Sequence, residues 1–132
     1  MVVDDEIGVR SSLEAVLERA GWQVWTHDSG FGLIVTMRKF EPHVVMLDVE
    51  MPGLNGDAAL RAIQTFERLP FAPPVVIFYS GQSEDELRTR TETSGAWGYL
   101  CKPATLQEIV DTAEAAFRHG HEGAPPRTRA QS

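Results

Sequence analysis

Five short apolar runs, separated by amphipathic stretches, constrain this chain more than any other feature. Residues 1–3, 22–26, 44–47, 75–79 and 97–101 are brief, rich in Val and aromatics, and nearly continuous rather than alternating. Strands buried on both faces read this way, because helices cover a parallel sheet from either side. Between the runs, Val9, Leu13, Val16, Leu17 and Ala20 recur at helical spacing, with Gly21 as a stop. Ala59, Leu60, Ile63 and Phe66 form one stripe within 55–68, and Leu106, Ile109, Val110, Ala113 and Phe117 form another. Capping boxes mark two helix starts, Ser83 with Glu86 and Thr105 with Glu108. Residues 84–94 hold a single strong apolar residue, Leu87, so this helix is expected to be the least firmly packed. The order βαβαβαβαβα with right-handed crossovers predicts an α/β fold built on a doubly wound parallel sheet.

A length of 132 residues suits one core and leaves little room for a second. We expect a domain over 1–118 and, where Gly, Pro and Arg replace the apolar stripe, a flexible tail over 119–132. Nineteen acidic against twelve basic residues give a net charge of −7, which argues against a nucleic-acid surface, where clustered cations are needed. Cys101 is the only cysteine, so an intramolecular disulfide is impossible and a reducing, cytoplasmic setting is expected. No apolar stretch approaches the roughly 20 residues that span a bilayer. The first residues lack the basic-then-apolar pattern of a secretory signal, so no membrane association is expected.

Ligands of an open parallel sheet bind outside the carboxyl ends of its strands. Asp4 and Asp5 follow the first run, Asp48 ends the third, Ser80 the fourth, and Lys102-Pro103 follow the fifth. Three carboxylates, a hydroxyl and an ammonium group should therefore share one cleft. Clustered carboxylates repel one another unless a cation neutralises them. Oxygen ligands without Cys or His favour a hard ion such as Mg2+. A carboxylate beside such an ion can act as nucleophile on a phosphoryl group, with the metal and a lysine stabilising the transferring charge.

The segments Val2-Val3-Asp4-Asp5-Glu6, Leu47-Asp48-Val49-Glu50-Met51-Pro52-Gly53-Leu54-Asn55-Gly56, Ser80-Gly81 and Gly98-Tyr99-Leu100-Cys101-Lys102-Pro103 resemble the receiver domains of bacterial response regulators. The resemblance runs from residue 1 to about residue 118 and is specific only as a joint pattern. It implies the flavodoxin-like receiver fold, five strands in the order 2-1-3-4-5 with five helices. It further implies that Asp48 is the phosphoacceptor, assisted by Lys102 and Ser80. Mg2+ would be held by Asp5 and Asp48 directly, by Asp4 through water, and by the Glu50 backbone carbonyl. Ser80 and Tyr99 would form the switch pair, Gly81 would leave the site accessible, and a cis bond before Pro103 would aim Lys102.

By the same resemblance, the chain would be no enzyme in its own right, only a phosphoacceptor that assists its own modification. Its partners would be a sensor histidine kinase or phosphotransfer protein, and a downstream protein bound through the fourth helix, fifth strand and fifth helix. A homodimer is compatible with this.

Each residue also has a plainer reading. Asp4 and Asp5 could cap the first helix, Asp48 could be a loop-edge carboxylate, Ser80 a turn residue and Lys102 a solvated lysine. Tyr99 could be a packing residue of its strand. Trp97 could pack in the core or anchor a partner, and Cys101 reads as packing. His27, His43, His119 and His121 have no paired metal spacing and read as surface residues. A phosphatase of the haloacid-dehalogenase type would need a second Asp two positions after its nucleophile, where Glu50 stands. A degenerate receiver that binds partners without phosphorylation is opposed by the intact acidic set. One departure is the short first strand, with only three residues before Asp4, each missing apolar side chain costing about 1.5–3 kcal/mol of burial. Glu50 and Gln82, two positions beyond Asp48 and Ser80, are expected to tune the phosphoryl lifetime.

Overall fold

The computed structural model describes residues 1–51, 56–64 and 73–122. Its elements run β1 (Val2–Val3), α1 (Ile7–Arg19), β2 (Thr26–His27), α2 (Leu33–Phe40), β3 (Val44–Leu47), α3 (Gly56–Gln64), β4 (Val75–Ser80), α4 (Glu84–Ser94), β5 (Gly98–Cys101) and α5 (Leu106–Glu122). All neighbouring strands are parallel and the sheet order is β2-β1-β3-β4-β5, as expected.

Alternate strand residues feed two separate cores. Val3, Val45, Leu47, Val76, Phe78 and Tyr99 pack against Leu33 and Met37 of α2, Ala59, Leu60 and Ile63 of α3, and Leu87 of α4. Val2, Val44, Met46, Ile77, Tyr79 and Leu100 meet Leu13 and Leu17 of α1 and Ile109, Ala113 and Ala116 of α5. The period of two thus sends the side chains of β1, β3, β4 and β5 to both layers, which is why their runs look continuous in sequence.

The first strand is an interior one, with Val2 and Val3 pairing to β2 on one side and β3 on the other. The Met1 amine donates to the Val44 carbonyl at 2.8 Å. The second run is corrected: of residues 22–26 only Thr26 is in β2, which continues to His27, while the Trp25 carbonyl accepts from the Val2 N–H at 2.9 Å. Trp22 and Val24 pack on the α1/α5 side instead, and Trp25 stacks on Phe40 at 4.7 Å between ring centroids.

The capping box closes fully at Thr105, while at Ser83 the Glu86 carboxylate accepts from the hydroxyl, at 3.0 Å, in place of the backbone N–H. The Ser83 hydroxyl accepts from the Glu86 N–H at 3.2 Å. At α5, the Thr105 hydroxyl accepts from the Glu108 N–H and the Glu108 carboxylate from the Thr105 N–H, both at 3.1 Å. Helix α4 buries only Leu87 and Thr91, in keeping with its sequence. It ends at Gly95, where φ of 86° suits glycine and an added Cβ would lie 2.9 Å from Gln64 Nε2.

Several details differ from expectation. Leu106 is 62% exposed at the first turn of α5, so it leaves the apolar stripe. Helix α5 continues through His119 to Glu122, beyond the expected boundary at 118; His119 packs beside Trp97 at 5.9 Å between centroids, so it is half-buried rather than on the surface. His27 is also half-buried, its Nε2 2.7 Å from the Phe31 carbonyl. Trp97 is buried in the α1/α5 core, which decides for packing over a binding anchor. Pro52, Gly53, Leu54, Asn55, Phe66, residues 65–68 of the third helical stretch, and 123–132 of the expected tail lie outside the described residues, as does the side chain of His121.

Candidate functional site

The register places the chemistry. Val3 pairs with Leu47, so Asp4 and Asp48 leave adjacent central strands at the same level. Ser80 pairs with Cys101, so Lys102 emerges one step beyond it. Backbone bonds from Asp48 N to the Val3 carbonyl (2.9 Å) and from Lys102 N to the Ser80 carbonyl (2.8 Å) hold these exits in place.

Lys102 joins the site. Its Nζ donates to Asp4 Oδ2 at 2.6 Å and lies 3.6 Å from Asp48 Oδ2. Asp4 and Asp48 are 1% and 5% exposed, so neither carboxylate is a solvated loop residue. Burial by itself pulls the Lys102 ammonium down, but the Asp4 hydrogen bond and the Asp48 and Asp4 charges hold it above the usual lysine range. Burial pushes the Asp48 carboxyl above the usual carboxylate range. The Glu50 N–H and Lys102 oppose this, while the Asp4 and Asp5 charges reinforce it. The Lys102-Pro103 bond is cis, and Lys102 Nζ also lies 5.3 Å from the centre of the Tyr79 ring.

Each buried acid is held by its own chain. Asp4 Oδ1 accepts from the Glu6 N–H at 2.9 Å, and Asp48 Oδ1 from the Glu50 N–H at 3.0 Å. The N-cap of α1 is Glu6 and receives no side-chain capping bond, so the simple capping reading of Asp4 and Asp5 fails. Arg10 Nη1 donates to the Asp4 carbonyl at 2.8 Å and ties α1 to the same loop.

The oxygen-only donor set fits a hard cation. One carboxylate oxygen each from Asp4, Asp5 and Glu6 lie within 4.8 Å of one another, with Asp5 and Glu6 exposed and Asp4 buried. Asp48 is not in that tight group; it shares Lys102 with Asp4 instead. The expected set of Asp4, Asp5, Asp48 and the Glu50 carbonyl is therefore brought to one edge but not gathered as closely as the three consecutive acids. Among the described residues no histidine joins such a group. Sequence reading gave Glu6 and Arg10 no role, since their proximity to Asp4 follows from the turn into α1.

Ser80 and Tyr99, the expected switch pair, are placed as well. Ser80 is fully buried; its hydroxyl accepts from the Gln82 N–H at 3.3 Å and donates to Glu50 Oε1 at 3.4 Å. The Gln82 side chain is directed to Arg90 of α4, 3.3 Å away. A Cβ on Gly81 would meet no atom within 4 Å, so the edge beside Ser80 is open. The Tyr99 ring is buried, and its hydroxyl donates to Glu84 Oε1 at 3.3 Å, in the first turn of α4. Burial and then the Glu84 charge raise the Tyr99 pKa. Replacing Glu84 by Ala should therefore lower the phenol's titration midpoint, read by phenolate absorbance. Tyr79, the only other tyrosine and raised first by burial, should stay where it is. A Tyr99 midpoint unchanged in the variant would mean that its hydroxyl does not rest on Glu84.

A doubly wound parallel sheet with buried acids bridged by a lysine at its carboxyl edge defines an α/β protein whose site suits phosphoryl and divalent-cation chemistry. The family model for the response regulator receiver domain matches residues 1–114, and the chain belongs to that family. It is 33% identical over 126 residues to the DNA-binding transcriptional regulator NtrC of Salmonella typhimurium, covering 96% of this chain and 26% of that protein. It is 30% identical to protein PilH of Pseudomonas aeruginosa over 89% of this chain and 95% of the relative. The chain thus spans about a quarter of the length of its NtrC relatives and nearly all of PilH. Among solved structures, a receiver domain protein from Clostridium thermocellum is similar with a TM-score of 0.80 at 26% identity, over 93% of this chain and 96% of that one. The chemotaxis protein CheY4 of Vibrio cholerae gives 0.77 at 25%, over 87% and 94%.

Receiver domains of this family serve two-component phosphorelay signalling, generally bind magnesium at an acidic pocket and are generally not enzymes in the ordinary sense. Receiver domains of this family generally interact with kinases or phosphotransfer partners and with downstream effector domains. Among the described residues, no helix is long and apolar enough to cross a membrane.

Proposed function

We propose that Asp48 is the phosphoacceptor of this receiver domain, and that the unit over 1–118 switches protein–protein contacts when it is modified. The observation that carries this is Lys102, whose ammonium reaches both Asp4 and Asp48 where two adjacent strands end. A buried carboxylate beside a fixed cation can attack a phosphorus atom, and that cation then faces the charge of the transferring group. Asp5, Asp48, Asp4 and the Glu50 carbonyl would hold Mg2+, with Glu6 as a further neighbour. When bound, the ion supplies charge neutralisation to the acids and to phosphoryl oxygens.

The chain's own residues supply the rest. Asp48 Oδ2 is the oxygen nearer Lys102, while Oδ1 is oriented by the Glu50 N–H. Ser80 lies fully buried on the strand beside β3 and would hydrogen-bond a phosphoryl oxygen. Tyr99 would pass the change to α4, β5 and α5, and its hydrogen bond to Glu84 already links β5 with the start of α4. The donor would be a phosphohistidine on a sensor kinase or phosphotransfer protein, and the recipient a downstream protein on that face. The working setting would be the cytoplasm, in keeping with a lone, unbridged Cys101.

Incubation with acetyl phosphate and magnesium, followed by intact-protein mass spectrometry and peptide mapping, tests the reading. One acid-stable, hydroxylamine-labile phosphoryl group on the peptide containing Asp48 is expected. Labelling elsewhere, or steady turnover of unrelated phosphate esters, would overturn it.

A further inference from the structure

We infer that the Glu50 side chain is a positioning residue for the switch: it holds the acceptor place on the Ser80 hydroxyl that a phosphoryl oxygen on Asp48 would take. Modification then exchanges one anionic acceptor for another instead of creating a bond from nothing. This rests on Asp48 as the phosphoacceptor.

Ser80 ends β4 with no exposed surface, so bulk water does not compete for its hydroxyl. The Gln82 N–H occupies one side of the oxygen, and the hydroxyl proton is directed to Glu50 Oε1. The Glu50 backbone N–H meanwhile donates to Asp48 Oδ1. One residue therefore touches both the expected acceptor carboxylate and the hydroxyl expected to answer it. At 3.4 Å the Ser80–Glu50 contact is long for O–H···O, hence weak and easily exchanged. Glu50 is exposed, so its side chain can turn into water at small cost. A phosphoryl dianion on Asp48 would repel it in that direction.

Removing Glu50 should leave the buried Ser80 proton without this acceptor in the unmodified chain, while the modified chain loses nothing at Ser80. Binding of a phosphoryl mimic should tighten as a result, and only when Ser80 is present. The test is the affinity of the full chain for beryllofluoride with magnesium, by titration calorimetry, in the parent, Glu50→Ala, Ser80→Ala and the double variant. Glu50→Ala should tighten binding about fivefold in the presence of Ser80, and by less than about twofold in its absence.

Glu50→Gln keeps an acceptor oxygen without the charge and should lie nearer the parent than Glu50→Ala does. Its own cycle with Ser80→Ala carries the test if the alanine variant folds poorly. Equal tightening on both Ser80 backgrounds would show that Glu50 acts through charge alone and would overturn the inference. So would weaker binding on removing Glu50. A parent that is phosphorylated on Asp48 but shows no coupling sinks this inference and leaves the phosphoacceptor reading standing. A parent that neither binds beryllofluoride nor is phosphorylated takes both down.

Discussion

Asp48→Asn should abolish phosphoryl incorporation from acetyl phosphate, lowering it at least about a hundredfold, because the amide offers no carboxylate oxygen for attack. The fold should survive, since Asp48 takes its place from β3 and the Asn side-chain oxygen can still accept the Glu50 N–H. The variant should also be more stable than the parent in the absence of divalent ions. The folded-state pKa of Asp48 is raised, first by burial, so the stability it contributes is present below the unfolded value of 3.8 and lost as pH rises through the folded one. At neutral pH the ionised, buried carboxylate is a cost that asparagine removes. Denaturation curves at pH 7 and intact-mass labelling read the two effects separately. Undiminished labelling would place the acceptor elsewhere, and a less stable Asn variant would mean that Lys102 more than compensates the burial.

Lys102→Met should give the other large effect, this time on stability. Its ammonium is the cation between Asp4 and Asp48, whose side chains are only 2% and 6% exposed. Breaking a buried pair from one side costs about 3–5 kcal/mol, because the remaining charge stays buried without its partner. Two such carboxylates remain here. Asp48, already raised by burial, would lose the opposing Lys102 charge and bind a proton still more readily in the folded chain, so part of the lost stability should return as pH falls from 7 toward 5. Magnesium should restore part of it at pH 7. Urea melts at both pH values, with and without magnesium, check this. A deficit that ignores both pH and magnesium would mean that Lys102 contributes packing alone. Labelling of Asp48 should fall about a hundredfold in the same variant, the scale expected for losing a fixed charge that faces the transition state.

Much of the site was legible because Asp4, Asp48, Ser80 and Lys102 stand at or just past strand ends, and strands leave a clear mark in the chain. Asp4, Asp48, Ser80 and Lys102 could be placed on one edge from strand order alone, as could the capping boxes at Ser83 and Thr105. What stayed hidden depends on side-chain direction. Nothing in the spacing shows that Lys102 prefers Asp4 to Asp48, that Glu6 stands with the acid pair, or that the hydroxyls of Ser80 and Tyr99 are held by Glu50 and Glu84. The second strand was misplaced for a related reason. Trp22, Val24 and Trp25 look like a strand by composition, but the ladder to β1 begins only at Thr26, opposite Val2.

The sequence by itself determined the alternation of five strands with five helices and the residues at the ends of all but the second strand. These are local matters of periodicity, capping and chain order, and they survive in any reading frame of the fold. The short run before Asp4, the feature least like the rest, was visible there too. Only the tertiary structure decided that Val2 and Val3 lie between β2 and β3, since their ladder partners are more than 20 positions away. It alone decided how the charges pair, because electrostatic partners are chosen by distance and burial in space, and neither is written in the order of the chain.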